Sequence, residues 1–164
     1  MSAWARGIPV VGQRASLSRT LTDADIIRFT GISGDRNPLH YDADAAGRTR
    51  LGGIVVQGGV TSAILNAVVA EVLPGPGTVF LETNWRFLAP ARPGDTITGE
   101  IEVTSVRTDK PITTLATRVV RADGVVAIEG TAACWTFDVG TPPPADAGSP
   151  TATAPASTTW AATT

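Results

Sequence analysis

The sequence predicts an α+β domain in which a curved antiparallel β-sheet wraps around one buried central α-helix. Three observations carry that expectation. Val60 to Leu73 contains neither Pro nor Gly and is mostly apolar, as a helix buried in a core is. Four strand-like runs follow it, each set off by turn residues. In one of them Ile97, Gly99, Ile101 and Val103 alternate with Thr98, Glu100, Glu102 and Thr104, so one face is packed and the other wet.

In chain order, Gln13 to Thr20 alternates weakly and reads as a first strand. Thr22 reads as an N-cap, and Asp23 and Asp25 suit the positive end of a helix dipole. Ile26, Ile27, Phe29 and Thr30 give that helix an apolar face to about Ile32, and Gly34 and Pro38 stop it. Tyr41 to Ala46 suits one short helical turn. In the central helix Val60, Ala63, Ile64, Ala67, Val68 and Val72 recur at three- and four-residue steps, and Pro74-Gly75-Pro76-Gly77 ends it. The strands are expected at Thr78 to Leu88, Asp95 to Thr108, Thr113 to Arg121 and Val125 to Phe137, with Asp123-Gly124 as a hairpin turn. An open sheet edge invites pairing, so a homodimer is expected.

The chain has 164 residues, enough for one domain with a real core. That domain is expected over 1–139. The remainder, 140–164, alternates Pro, Ala, Thr and Ser, has too little apolar surface to offset its ordering entropy, and reads as a disordered tail in which Trp160 is an isolated aromatic. A formal net charge of -2 and a pI of about 5.3 offer no concentrated basic face, so nucleic acid is not an expected partner. The single cysteine, Cys134, excludes an internal disulfide and a cysteine-based zinc site; it lies in an apolar run and reads as a buried hydrophobe. No apolar run reaches the ~20 residues of a membrane helix. The first residues carry no apolar signal core, and a cytoplasmic location is expected.

The segment richest in chemistry is Ser33-Gly34-Asp35-Arg36-Asn37-Pro38-Leu39-His40, which contains the only histidine. Taken singly, each residue has a structural reading: a lone His is more often structural than catalytic, Asp35 can end a helix, and Asn37-Pro38 makes an ordinary turn. Together, an imidazole and a carboxylate on one Pro-stiffened loop can point at one small volume. His titrates near neutral pH, a carboxylate orients water or polarises the ring, and Asn37 fixes the loop through its amide. Such a site activates water without a metal or a cofactor. A second element, Gln57-Gly58-Gly59, precedes the buried helix. Free N–H groups at a helix start carry positive potential, and glycine admits a close ligand, so an oxyanion hole fits there. A Gly-rich turn before a helix is also simply common. A phosphate loop fits less well, for want of a dinucleotide pattern or a Gly-Lys-Ser/Thr ending.

The loop Gly34-Asp35-Arg36-Asn37-Pro38-Leu39-His40 resembles the Asp-x-Asn-Pro-x-His motif of the MaoC-like dehydratases and (R)-specific enoyl-CoA hydratases. The resemblance runs on through Gly53 to Gly58, the buried helix, Leu73 to Gly77, Arg86 to Asp95 and Asp109-Lys110-Pro111, roughly Gly12 to Phe137. It implies a hot-dog fold, usually dimeric, with substrate entering near the subunit interface. It implies that Asp35 and His40 together hold and activate water, which adds reversibly to a trans-2-enoyl thioester to give a (3R)-hydroxyacyl product. The thioester is carried on CoA or on acyl carrier protein. The Gly58 N–H would hold the thioester oxygen. Two departures stand out: Gln57 occupies a position where the family commonly has His, and the Ser that family members often hydrogen-bond to the catalytic Asp falls on Ala63. Thr61 and Ser62 are adjacent; Ser62 either substitutes for that Ser or, with Thr61, merely caps backbone groups.

Arg48, Arg50, Arg86, Arg92 and Lys110 are candidates for CoA phosphates or the acidic face of a carrier protein, though each alone reads as solvated surface. Two competing readings remain: a thioesterase on the same fold, whose water attacks the carbonyl, and a non-catalytic acyl-binding subunit of a hetero-oligomer.

Overall fold

The computed structural model describes residues 4–140. The expectation for the tail therefore lies outside the described residues, Gly140 excepted. The order of elements is β1 (Arg14–Thr20), α1 (Asp23–Ser33), a single 3-10 turn (Pro38–His40), α2 (Ala43–Gly47), α3 (Gly58–Ala67) continued by a wide turn (Val68–Val72), then β2 (Thr78–Phe87), β3 (Thr96–Val106), β4 (Ile112–Arg121) and β5 (Val126–Thr136). The strands form one antiparallel sheet in the order β1-β3-β4-β5-β2.

α3 and its wide turn together touch all five strands, so the sheet wraps the helix as expected. The core lies between them: Ile64, Leu65, Val68 and Val69 of the helix meet Leu17, Ile97, Ile101, Val103, Leu115, Val119 and Ile128. The alternation in β3 is realised as alternate burial. Gly99 breaks that row of side chains for a reason. A Cβ there would stand 2.8 Å from Ile64 Cγ2, so its absence lets the helix sit close on the sheet.

The central helix departs from its expected limits at both ends. It starts at Gly58, not Val60, because the two glycines are packed against rings: a Cβ on Gly59 would lie 2.1 Å from Phe29 Cζ. It ends in a wider turn, where Leu73 N–H reaches back five residues to the Val68 carbonyl at 3.0 Å. An apolar repeat does not register that change of pitch.

At α1, Thr22 is the N-cap residue, yet the cap runs through Asp25, whose carboxylate accepts from Thr22 N–H at 2.8 Å. Burial raises the Asp25 carboxyl, but the bonds from Thr22 and the Arg19 guanidinium at 2.6 Å outweigh it and hold the group below its ordinary value. Burial alone pushes the Cys134 thiol up to about 12. The sheet's edges are β1 and β2, and on β2 Val79, Leu81 and Phe87 are exposed. No helix among the described residues is long and apolar enough to cross a membrane.

Candidate active site

α1 ends at Gly34, whose left-handed backbone (φ 76°) turns the chain away, and residues 35–42 cross back over the end of that helix. Short-range bonds stiffen the crossing. Asn37 N–H donates to Asp35 Oδ1 at 3.0 Å, and Leu39 N–H donates to Asn37 Oδ1 at 3.1 Å. Pro38 starts the 3-10 turn that carries His40.

The turn brings the two sequence-predicted residues together: His40 Nε2 stands 3.5 Å from Asp35 Oδ2. The imidazole is mostly buried and the carboxylate is 40% exposed. His40 Nδ1 lies 2.7 Å from the Val55 carbonyl oxygen. A carbonyl only accepts, so Nδ1 carries the proton and, in the neutral ring, Nε2 presents its lone pair toward Asp35. At 3.5 Å the pair is not a direct hydrogen bond. Two acceptors facing one point suit a water molecule that donates one proton to each.

The Val55 carbonyl is itself held in place. Val55 N–H donates to the Leu39 carbonyl at 3.2 Å and Val56 N–H to the Ala91 carbonyl at 2.9 Å. Arg92 braces the preceding residues, with Nη1 donating to the Ile54 carbonyl at 2.9 Å and Nη2 to that of Leu51. Its guanidinium is therefore occupied by backbone, and Arg86 is paired with Glu129 at 3.7 Å.

Gly58 opens α3, so its N–H has no acceptor within the helix. It lines a cavity of about 530 Å³ with Arg50, Val56, Thr61, Phe87 and Arg92 among its walls. His40 lines a different and smaller cavity of about 220 Å³, with Ile26, Ile27, Tyr41 and Ile54. Asp35, Asn37 and His40 are thus gathered in one loop, while Gly58 faces the neighbouring cavity beyond the 54–56 segment. Of the five basic candidates, Arg50 and Arg92 reach the larger cavity.

Ser62 does not meet Asp35. Its hydroxyl donates to the Gly59 carbonyl at 3.3 Å, the backbone-capping alternative, because one turn into α3 that carbonyl is the nearer acceptor. Two other hydroxyls reach the Asp35 backbone: Ser33 Oγ accepts from the Asp35 N–H at 3.1 Å, and Thr30 donates to the Asp35 carbonyl at 2.7 Å and also meets the Tyr41 hydroxyl and Gln57 Nε2. The sequence offered only helical spacing for Thr30, which placed it on an apolar face. Among the described residues no three His, Cys, Asp or Glu side chains gather as metal ligands would.

This arrangement of sheet, central helix and loop defines a hot-dog protein. Residues 9–124 match the family model described as a MaoC like domain, and the chain belongs to that family. It is 38% identical over 122 residues to an (R)-specific enoyl-CoA hydratase of Aeromonas caviae, covering 74% of this chain and 91% of that one. It is also 38% identical over 121 residues to an (R)-specific enoyl-CoA hydratase of Rhodospirillum rubrum, covering 74% of this chain and 83% of that one. The solved (R)-hydratase from A. caviae, an enzyme involved in PHA biosynthesis, superposes with a TM-score of 0.74 at 36% identity, covering 78% of this chain and 97% of the other.

Proposed function

We propose that this chain is an (R)-specific hydratase that adds water reversibly to a trans-2-enoyl thioester. The observation that carries the reading is the Asp35–His40 pair, with the tautomer of the ring set by the Val55 carbonyl. Water bound between Nε2 and Oδ2 has its oxygen lone pairs free for the β-carbon. As that C–O bond forms, one proton of the water passes to the pair, and negative charge develops on the thioester oxygen. The Gly58 N–H, reinforced by the dipole of α3, is the donor for that charge when the thioester runs from the His40 cavity past Ile54 and Val56 into the larger one. The proton then goes to the α-carbon, which completes the addition of H and OH. Asn37 holds Asp35 through its N–H and the turn through its side chain. Ser62 supports the first turn of α3 and not the carboxylate. General acid/base assistance of this kind is worth ~10²–10⁴-fold.

A homodimer fits this reading. The exposed edge strand β2 runs into the 87–90 segment that walls the larger cavity, so a second copy paired on that edge would border the site. Arg50, at the same cavity, suits a phosphate of a CoA carrier. A cytoplasmic location accords with the single buried thiol.

The test is to give the purified chain trans-2-butenoyl-CoA and follow the conjugated-enoyl absorbance and free thiol together. Loss of absorbance with no thiol, and a (3R)-hydroxy product on chiral analysis, supports hydration. Thiol release supports the thioesterase instead. No change with the CoA ester or with the same acyl group on carrier protein supports a non-catalytic subunit.

A further inference from the structure

Three segments of the site meet at one hydroxyl. Thr30, in the last turns of α1, is 6% exposed. A hydroxyl has one proton to give. Thr30 gives it to the Asp35 carbonyl at 2.7 Å. It must then accept in its other contacts, from Gln57 Nε2 at 3.1 Å and from the Tyr41 hydroxyl. Tyr41 directly follows His40 and Gln57 directly precedes Gly58. Every group assigned to the chemistry is therefore on, or next to, a residue bonded to Thr30.

We propose that Thr30 is a positioning residue for the hydration, its single hydroxyl setting the spacing of Asp35, His40 and the Gly58 N–H. The proposal rests on the hydratase reading. Asp35 is 40% exposed at its side chain, and its carboxylate takes only the Asn37 N–H and the looser approach of His40, so its position depends on its backbone, which Thr30 holds at the carbonyl and the exposed Ser33 Oγ at the N–H. Tyr41 is 47% exposed and has water available, yet its hydroxyl turns inward to Thr30. Gln57 is 2% exposed, and its amide nitrogen joins Thr30 to the α1 carbonyl of Ile26 at 3.3 Å. A Thr present only for packing would be replaced by Val without consequence. A hydroxyl that positions the site cannot be.

The test compares Thr30→Val, Thr30→Ser, Tyr41→Phe and the Thr30→Val/Tyr41→Phe double variant of the full chain. Turnover of trans-2-butenoyl-CoA is measured, and hydrogen exchange of residues 35–41 is followed by mass spectrometry. The proposal expects Thr30→Val to lower kcat about tenfold or more with KM changed less than about threefold, since small misplacements of reacting groups are costly. Thr30→Ser restores most of that activity. Tyr41→Phe falls between, and the double variant is no worse than Thr30→Val, because both act through one oxygen. Exchange of 35–41 rises in Thr30→Val and not in Thr30→Ser. Undiminished kcat in a folded Thr30→Val, an equal loss in Thr30→Ser, or multiplicative effects in the double variant would overturn it. If the wild-type chain hydrates nothing, the hydratase reading fails, and unchanged exchange in Thr30→Val would sink the Thr30 assignment separately.

Discussion

The two halves of this molecule are held together by different forces. The sheet half, β2 to β5, is knitted by backbone ladders and by side chains with no exposure at all, such as Leu115 and Val119. In the half that carries the site, residues 21–60, side chains hold backbone: Asp25 on Thr22, Thr30 on Asp35, Asn37 on Leu39, His40 on Val55. Ladders tolerate many side chains, whereas these bonds need particular ones. Stability should therefore be concentrated in the sheet half and activity in the half that carries the site, and substitutions in each can test that separation.

The largest contrast is between His40→Ala and Leu115→Ala. His40→Ala should lower kcat/KM by ~10²–10⁴-fold. Leu115, fully buried, should cost ~2–5 kcal/mol when cut to Ala, read by urea unfolding, with kcat preserved in the molecules that remain folded. An inactive but fully folded Leu115→Ala would break the separation. Gly58→Ala comes next. Its Cβ would stand 2.9 Å from Phe87 Cε1, at the wall of the larger cavity, and turnover should fall by about tenfold or more while the melting temperature holds, since Ala suits a helix better than Gly.

A smaller effect is expected at Asp25. Asp25→Asn should cost ~1 kcal/mol at neutral pH through the loss of its negative charge at the start of α1 and beside Arg19. Because the folded carboxyl titrates below its ordinary 3.8, its contribution is complete above that value and is lost as pH falls through the lower folded value. Unfolding curves of the wild type and Asp25→Asn should therefore converge in acid and stay separated at pH 7. The smallest signal is at Cys134, whose thiol is buried and pushed up to about 12. An aromatic disulfide reagent at pH 8 should label it only after denaturant is added.

What was legible in the sequence follows the same division. The strands of the sheet half fall close to their expected limits because period-two alternation and Asp-Gly or Pro-Gly turns are local signals. Asp35, Asn37 and His40 were legible because they share one short loop. Thr30 was not: its partners lie 5, 11 and 27 residues away, and nothing in a helical repeat distinguishes a hydroxyl that packs from one that bonds across the fold. For Ser62 the sequence allows two roles, and the structure shows the backbone-capping one, with the hydroxyl turned back on its own helix. Gly58 and Gly59 read as a turn before the helix, since glycine lowers helix propensity, but the Phe29 ring leaves no room for a side chain on Gly59, and one on Gly58 must displace the exposed Phe87 ring.

Whether Asp35 and His40 act as one water-activating unit is decided by a double-mutant cycle on kcat/KM for trans-2-butenoyl-CoA. If they hold a single water between them, Asp35→Asn, His40→Ala and the double variant should all fall to a similar floor, as groups that act together do. Multiplicative losses, or a His40→Ala variant that retains most of the wild-type rate, would contradict it.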